Sequence, residues 1–307
     1  MIDHSIGRIA RGVGRRARTV AQGLAQAGPR LWYGNSAGWH ANRGARQELQ
    51  RLRRVGAEPL SACSEIDRAR AKRLEADGYL SLPRMVDEAT LSAVRAAAVA
   101  AFEDPARSVD SPNGATRFLL EPEKVVPGLG ALLTDDICRA IAAYYGCAIR
   151  VKSVRVWRNH HVPGIDGDAD DRFSNTFHHD NCPVSGLRVF VLLNDGVTRE
   201  TGAFRFHDRQ TSERLVRSPG FFHRNMMSPG MRRRLIDSRT LRYFEGDAGD
   251  TCICNTQQCL HAASVPRAGS FRDILQFEVY PDAGPLRSGD QLTSLAPPDA
   301  EVLAMRP

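Results

Sequence analysis

The stretch IRVKSVRVWRN, residues 149–159, alternates apolar and polar side chains with the period of two that belongs to a β-strand. Four runs of similar texture follow: LRVFVLLND (187–195), GAFRFH (202–207), DTCICNT (250–256) and RDILQFEVYP (272–281). They are short, rich in β-branched and aromatic residues, and separated by Gly, Asp and Asn turns. Upstream the texture is helical. Ser64 is placed to cap EIDRARAKRLEADG (65–78), with Gly78 as its stop, and YLSLP (79–83) follows as a short strand. VDEATLSAVRAAAVAAFEDP (86–105) reads as an Ala-rich helix with an acidic start and Pro105 beyond its end, and DDICRAIAAYYG (135–146) reads as another. Helices first and then many short strands predict a mainly β, α+β chain: a β-sandwich or jelly roll buttressed by N-terminal helices. After Pro281 the composition turns to Pro, Gly and Ser, which predicts irregular structure.

The chain has 307 residues, enough for one large domain or two small ones, and its 42% hydrophobic and 25% charged residues suit a soluble globular protein. No apolar run is long enough for a transmembrane helix, and the first thirty residues lack the apolar core of a secretory signal. The net charge of +7 is uneven: residues 1–75 hold 15 Lys/Arg against 6 Asp/Glu, while the remainder is close to neutral. No nucleic acid is therefore expected on the body. The basic run IGRIARGVGRRARTVAQGLAQ (6–26) leaves three readings open. It suits an amphipathic helix making peripheral membrane contact on anionic lipid, an organelle transit peptide, or a solvated or loosely docked extension. RLWYGNSAGWH (30–40) carries two of the three tryptophans and is expected to pack on the body. Seven cysteines in no CxxC pair read as small buried hydrophobes, with Cys252 and Cys254 on one strand face, and reduced thiols suit a cytoplasmic setting.

The chemistry centres on FHHDN, residues 177–181. In a strand, positions i and i+2 share a face, so His178 and Asp180 project together and His179 projects away. An imidazole and a carboxylate on one face are two thirds of a facial triad of the kind that holds ferrous iron with positions left open. Among the other histidines, His261 stands out: a turn at Gly249-Asp250 feeds a strand, His261 follows it, and a second strand begins near Arg272. That places Arg272 beside the same pocket. A buried guanidinium requires an anion. Asp273 points the other way along the strand, so a dicarboxylate cosubstrate gripped at its far end fits Arg272.

This constellation, His178-x-Asp180, His261 83 residues on and Arg272 another eleven on, resembles the phytanoyl-CoA dioxygenase family of iron(II)/2-oxoglutarate oxygenases. So do LEADGYLSLPRMVDEATLSAVRAAA (74–98), LRVFVLLNDGVTRETGAFRF (187–206) with its turn at Gly202, and GDAGDTCICNTQQCLHAAS (246–264). The resemblance covers residues 64–281 and implies a double-stranded β-helix, a distorted jelly roll of cupin-like type. It further implies Fe(2+) on His178, Asp180 and His261, 2-oxoglutarate chelating the iron with its other carboxylate on Arg272, O2 in the last position, and hydroxylation of a C–H bond with release of succinate and CO2. Retention of a carboxylate at Asp180 argues against halogenation and for hydroxylation, desaturation or ring chemistry. Where the family often has Pro-Gly-Ser-His after the glycine turn, this chain reads FRFHDRQTS (204–212), so the small-molecule or lipid-linked substrate does not follow from the resemblance.

Three segments follow: a basic extension over 1–63, an oxygenase domain over 64–288, and an irregular tail over 289–307. Arg155, Trp157 and Asn159 alternate on one strand face and are expected either to border the pocket or to pack within the sheet. His160, His161, His207 and His223 are candidate substrate contacts or surface histidines. DGDADD (166–171) fails the EF-hand pattern, because its sixth and twelfth positions are Asp171 and Phe177, and reads as an acidic loop. MRRRL (231–235) reads as a solvated helix face or a phosphate site. His179 is either a support for the motif or a packed core residue. Two rivals remain: a cupin-like metal isomerase or hydrolase, which has no need of Arg272, and a catalytically silent jelly-roll module recruited by the basic tail. The sequence leaves the oligomeric state open.

Overall fold

A computed structural model describes residues 39–55, 63–112, 114–163, 177–180, 185–216 and 239–305. The basic run at 6–26, most of RLWYGNSAGWH, DGDADD, MRRRL and His223 lie outside the described residues. No described helix is long and apolar enough to cross a membrane.

The elements run in order: α1 Trp39–Val55, α2 Glu65–Asp77, β1 Tyr79–Leu82, α3 Glu88–Glu103, β2 Ser108–Asp110, β3 Thr116–Leu119, α4 Pro122–Val125, α5 Asp135–Tyr145, β4 Ala148–His160, β5 Leu187–Leu192, β6 Phe204–Phe206, α6 Arg209–Val216, β7 Arg242–Phe244, β8 Thr251–Cys254, β9 His261–Ala263, β10 Phe271–Asp282, α7 Gly289–Ser294 and α8 Ala300–Leu303. The caps explain the helix boundaries. Ser64 and Asp67 form a reciprocal capping box at the start of α2, and Gly78 ends it in the left-handed conformation at φ 79°. Asp87 accepts from the Thr90 N–H at the start of α3, and Thr134 and Gly146 bracket α5.

Seven strands form one antiparallel sheet in the order β1-β8-β5-β10-β4-β3-β2, and β7-β6-β9 form a second. On the large sheet, alternation divides the side chains. Leu275, Phe277 and Val279 of β10, with Val189 and Val191 of β5 and Ile253 of β8, join the helices in the main core. The alternate residues Arg272, Gln276 and Glu278, with Arg188 and Phe190 of β5, face a cavity instead. On β4 the register shifts opposite Glu278/Val279. Ile149 and Val151 face the core before that bulge and Val154 and Val156 after it, so the phase change K-S is visible in IRVKSVRVWRN. Beyond the bulge Arg155, Trp157 and Asn159 line the cavity. The small sheet packs over the same face: Phe204 lies 4.8 Å from Phe190, and Cys252, Cys254 and Cys259 share that second core as small apolar groups. Gly202 makes its turn at φ 102°, where a Cβ would lie 2.8 Å from Pro266.

Two features concern the flanking segments. First, the C-terminal residues expected to be irregular contain α7 and α8. Ser288 and Gln291 form a capping box, and Asp299 caps α8. These local hydrogen bonds outweigh the Pro/Gly composition. Second, part of the basic extension is docked: Leu52 of α1 is buried, and Arg53 Nε donates to the Tyr145 carbonyl at 2.6 Å, satisfying the end of α5.

Gly289 fixes the docking of α7. A Cβ there would lie 2.2 Å from the carbonyl oxygens of Gly130 and Leu133, both backbone atoms that cannot swing aside. Gly289→Ala is expected to lift α7 off the body, lower Tm by several degrees and speed proteolytic cleavage within residues 289–305. Wild-type cleavage rates would show that the contact is not tight.

Candidate metal centre

His261 stands at the start of β9, paired on one side with Phe206. On the other side it exchanges both backbone hydrogen bonds with His178, at 2.9 and 3.0 Å. Residues 177–180 are not the full strand that alternation predicts. His178 makes a single bridge, and that bridge is sufficient to bring the two imidazoles to 4.4 Å between ring centroids. The His261 Nδ1 lies 3.0 Å from the Cys259 carbonyl. A carbonyl only accepts, so Nδ1 carries the proton and Nε2 keeps its lone pair for a metal.

Asp180 completes the group. Its Oδ1 lies 3.5 Å from His261 Nε2 and 3.7 Å from His178 Nε2, and one ligand atom from each residue falls within 4.8 Å of the others. Its backbone N–H donates to the Thr256 carbonyl at 3.1 Å, and Oδ2 accepts from the Thr256 hydroxyl at 2.7 Å. Burial works to raise the carboxyl, but His261, Arg188 and His178 outweigh it and hold it well below the ordinary value. The three side chains fit a divalent metal by donor type, count and proximity.

His179 points away, as alternation requires, and is buried. Burial first, then the neighbouring His261 and His178, push its imidazole down to about 3, so it is neutral.

Arg272 lies in the same cavity, of about 590 Å³, as His178, Asp180 and His261. It is 2% exposed, and burial lowers its pKa to about 10, which leaves it charged at neutral pH. Its Nη2 donates to Asn159 Oδ1 at 2.5 Å, while Nε and Nη1 have no hydrogen-bond partner among the described residues. Asp273 is engaged elsewhere, by Arg158 through two contacts of 2.6 Å. Asn159 is set in turn: its Nδ2 donates to Thr116 at 3.0 Å and its Oδ1 also accepts from the Trp157 indole at 3.0 Å. Asn159, itself held by Thr116 and Trp157, thus holds the arginine. Arg155 turns to the tail, paired with Asp299 and, at 2.6 Å, with Glu301. The segment Pro297–Glu301 is therefore a wall of the cavity.

Sequence reasoning missed Arg188 and Glu278. They are direct cross-strand partners on β5 and β10, with Arg188 Nη1 2.7 Å from Glu278 Oε1. Ser153, Tyr280 and Lys152 also bind Glu278, at 3.0, 2.8 and 3.3 Å. A signal existed: a charged residue amid ILQFEVY is anomalous in a buried strand. Of the other candidate histidines, His207 is fully buried with Nδ1 3.2 Å from the Thr240 carbonyl, and His161 Nδ1 lies 3.0 Å from the Pro266 carbonyl. Neither they nor His160 line the cavity.

The chain matches no protein-family model and no curated protein. It is similar in structure to the epimerase SnoN in complex with Fe3+, alpha ketoglutarate and nogalamycin RO, with a TM-score of 0.53 and 17% identity over 73% of this chain and 94% of that one. A second structure, the non-heme alpha ketoglutarate dependent epimerase SnoN from nogalamycin biosynthesis, gives a TM-score of 0.50 with the same identity and coverage. The similarity establishes the jelly-roll fold expected from the sequence.

Glu278 makes stability depend on acid pH. Burial works to raise its pKa, but Arg188, Tyr280 and Lys152 bring it down to about 2 from an ordinary 4.5. A carboxylate depressed in the folded state contributes fully above pH 4.5, and the contribution is lost as pH falls toward about 2. The amount is on the order of 3 kcal/mol. In urea titrations across this window Glu278→Gln is expected to flatten the acid limb. An unchanged slope would remove Glu278 from the network.

Proposed function

We propose that the chain is a non-haem iron(II)- and 2-oxoglutarate-dependent oxygenase of the kind represented by the phytanoyl-CoA dioxygenase family, hydroxylating a small molecule. One observation carries the reading. A His–Asp–His group and a buried, charged arginine, two of whose donors lack partners among the described residues, open into one cavity. Those unpaired donors cost free energy, about 1–3 kcal/mol each and more for a charged group. A carboxylate from the cavity removes that cost. A metal isomerase or hydrolase with the same three ligands leaves Arg272 without a purpose.

Ferrous iron with 2-oxoglutarate and O2 supplies the oxidising power to take hydrogen from a C–H bond, releasing succinate and CO2. The remaining work belongs to this chain's residues. His178, Asp180 and His261 would hold the metal at the cavity. Arg272, fixed by Asn159 and Thr116, would grip the far carboxylate of 2-oxoglutarate. Phe190 and Phe204 form an apolar patch in the lining. Lys152, Ser153, Gln276 and the Arg155–Asp299–Glu301 cluster give the rest a polar character. This favours a compact, hydrogen-bonding substrate over an acyl chain, whose burial would strip water from those groups.

Anaerobic titration of the apo-protein with ferrous iron and then 2-oxoglutarate is expected to raise the weak visible charge-transfer band of the chelate. His261→Ala should abolish the band by weakening metal binding. Arg272→Ala should keep the metal and raise the 2-oxoglutarate concentration needed by 10–100-fold, the equivalent of about 1.4–2.7 kcal/mol. Iron binding without a band would favour the isomerase or hydrolase reading, and full chelation by Arg272→Ala at low 2-oxoglutarate would remove the anchor.

A further inference from the structure

Asp180 is held by one oxygen. Its Oδ2 accepts from the Thr256 hydroxyl at 2.7 Å and lies 3.4 Å from Arg188 Nε, while Oδ1 faces the two imidazoles. Arg188 is itself anchored. It stands opposite Glu278 in the sheet register, 2.7 Å from that carboxylate, and Ser153 and Tyr280 hold Glu278 from its other sides. The result is a row, Asp180–Arg188–Glu278, running from the partly buried candidate metal ligand to a buried glutamate in the sheet.

This row matters because a carboxylate binds a metal through one oxygen or two. On the oxygenase reading, an octahedral ion gives two positions to histidines and two to 2-oxoglutarate, so two are left. A carboxylate taking both would leave none for O2. With Oδ2 engaged by a hydroxyl and a guanidinium, turning it toward the ion would break a charge-assisted contact and leave Arg188 short of one of its acids. Outer partners of metal ligands act in this way, by fixing ligand orientation.

We propose that Arg188 is a positioning residue that, together with Thr256, keeps Asp180 a one-oxygen ligand and so keeps a coordination position open, with Glu278 acting through Arg188. The proposal rests on the three residues holding a metal, and it does not require 2-oxoglutarate.

The test counts the waters on bound Mn2+ by water-proton relaxation of the full chain, with the metal alone and then with 2-oxoglutarate added. Three protein donors leave three water positions on a six-coordinate ion. Arg188→Met should let Asp180 bind through both oxygens, and the relaxation enhancement should fall by about one third at saturating Mn2+. Thr256→Val should move it in the same direction. Glu278→Gln should produce a smaller fall, and the Arg188→Met/Glu278→Gln double variant should fall no further than Arg188→Met alone. Arg188→Lys, which keeps a cation beside Oδ2, should recover part of the signal. Wild-type enhancement in both Arg188→Met and Thr256→Val would overturn the proposal, as would additive effects of the Arg188 and Glu278 changes for the role of Glu278. Circular dichroism identifies any variant that fails to fold, and Thr256→Val and Glu278→Gln then carry the test. Absence of Mn2+ binding by the wild type would remove the metal and this role together. Mn2+ binding whose water count does not respond to 2-oxoglutarate would remove only the cosubstrate reading.

Discussion

Side-chain alternation along Phe271–Asp282 is the constraint on which the site depends. This strand pairs on both sides, with Ala148–His160 and with Leu187–Leu192. Leu275, Phe277 and Val279 must face the helices, since they supply apolar area to the main core. The pleat then sends Arg272, Gln276 and Glu278 to the opposite face. A slip of one residue would exchange the two sets and bury two charges in the helical core. Burial of the apolar face therefore fixes the position of the polar one. The bulge at Lys152-Ser153 keeps the neighbouring strand in phase, so that Arg155, Trp157 and Asn159 meet the same cavity.

Much of this was legible because it is local. Ser64, Asp87 and Thr134 cap helices through bonds to residues three positions on, and such signals survive in a linear sequence. Alternation likewise marked the strands and separated His178 and Asp180 from His179. What escaped was non-local or masked by composition. The Arg188–Glu278 pair exists only once two strands 90 residues apart are in register. Arg155 lines the cavity, one of the two places its strand position allows, but its partners Asp299 and Glu301 lie in a tail whose prolines concealed a capping box. Over the described residues 177–180, the strand expected there is a single backbone bridge, between His178 and His261.

The charges around the cavity carry the argument further. Lys152, Arg155, Arg188 and Arg272 line it, as do Asp180, Glu278, Asp299 and Glu301. Formal charge balances, but position does not. Lys152 and Arg188 contact Glu278, Arg188 also contacts Asp180, and Arg155 contacts Asp299 and Glu301. Arg272 alone of the four cations has no carboxylate within ion-pair distance among the described residues, and it is also the most deeply buried of them. Asp180, for its part, faces two histidines that are neutral when they act as ligands. By these contacts Asp180 and Glu278 are offset by Lys152 and Arg188, Arg155 faces two acids, and the uncompensated positive charge is that of Arg272. A dicarboxylate reaching from a metal on the three ligands to Arg272 would supply the missing anion. Such a dicarboxylate would touch metal and arginine at once, so the two ligands should bind cooperatively, each raising the affinity for the other by the same factor.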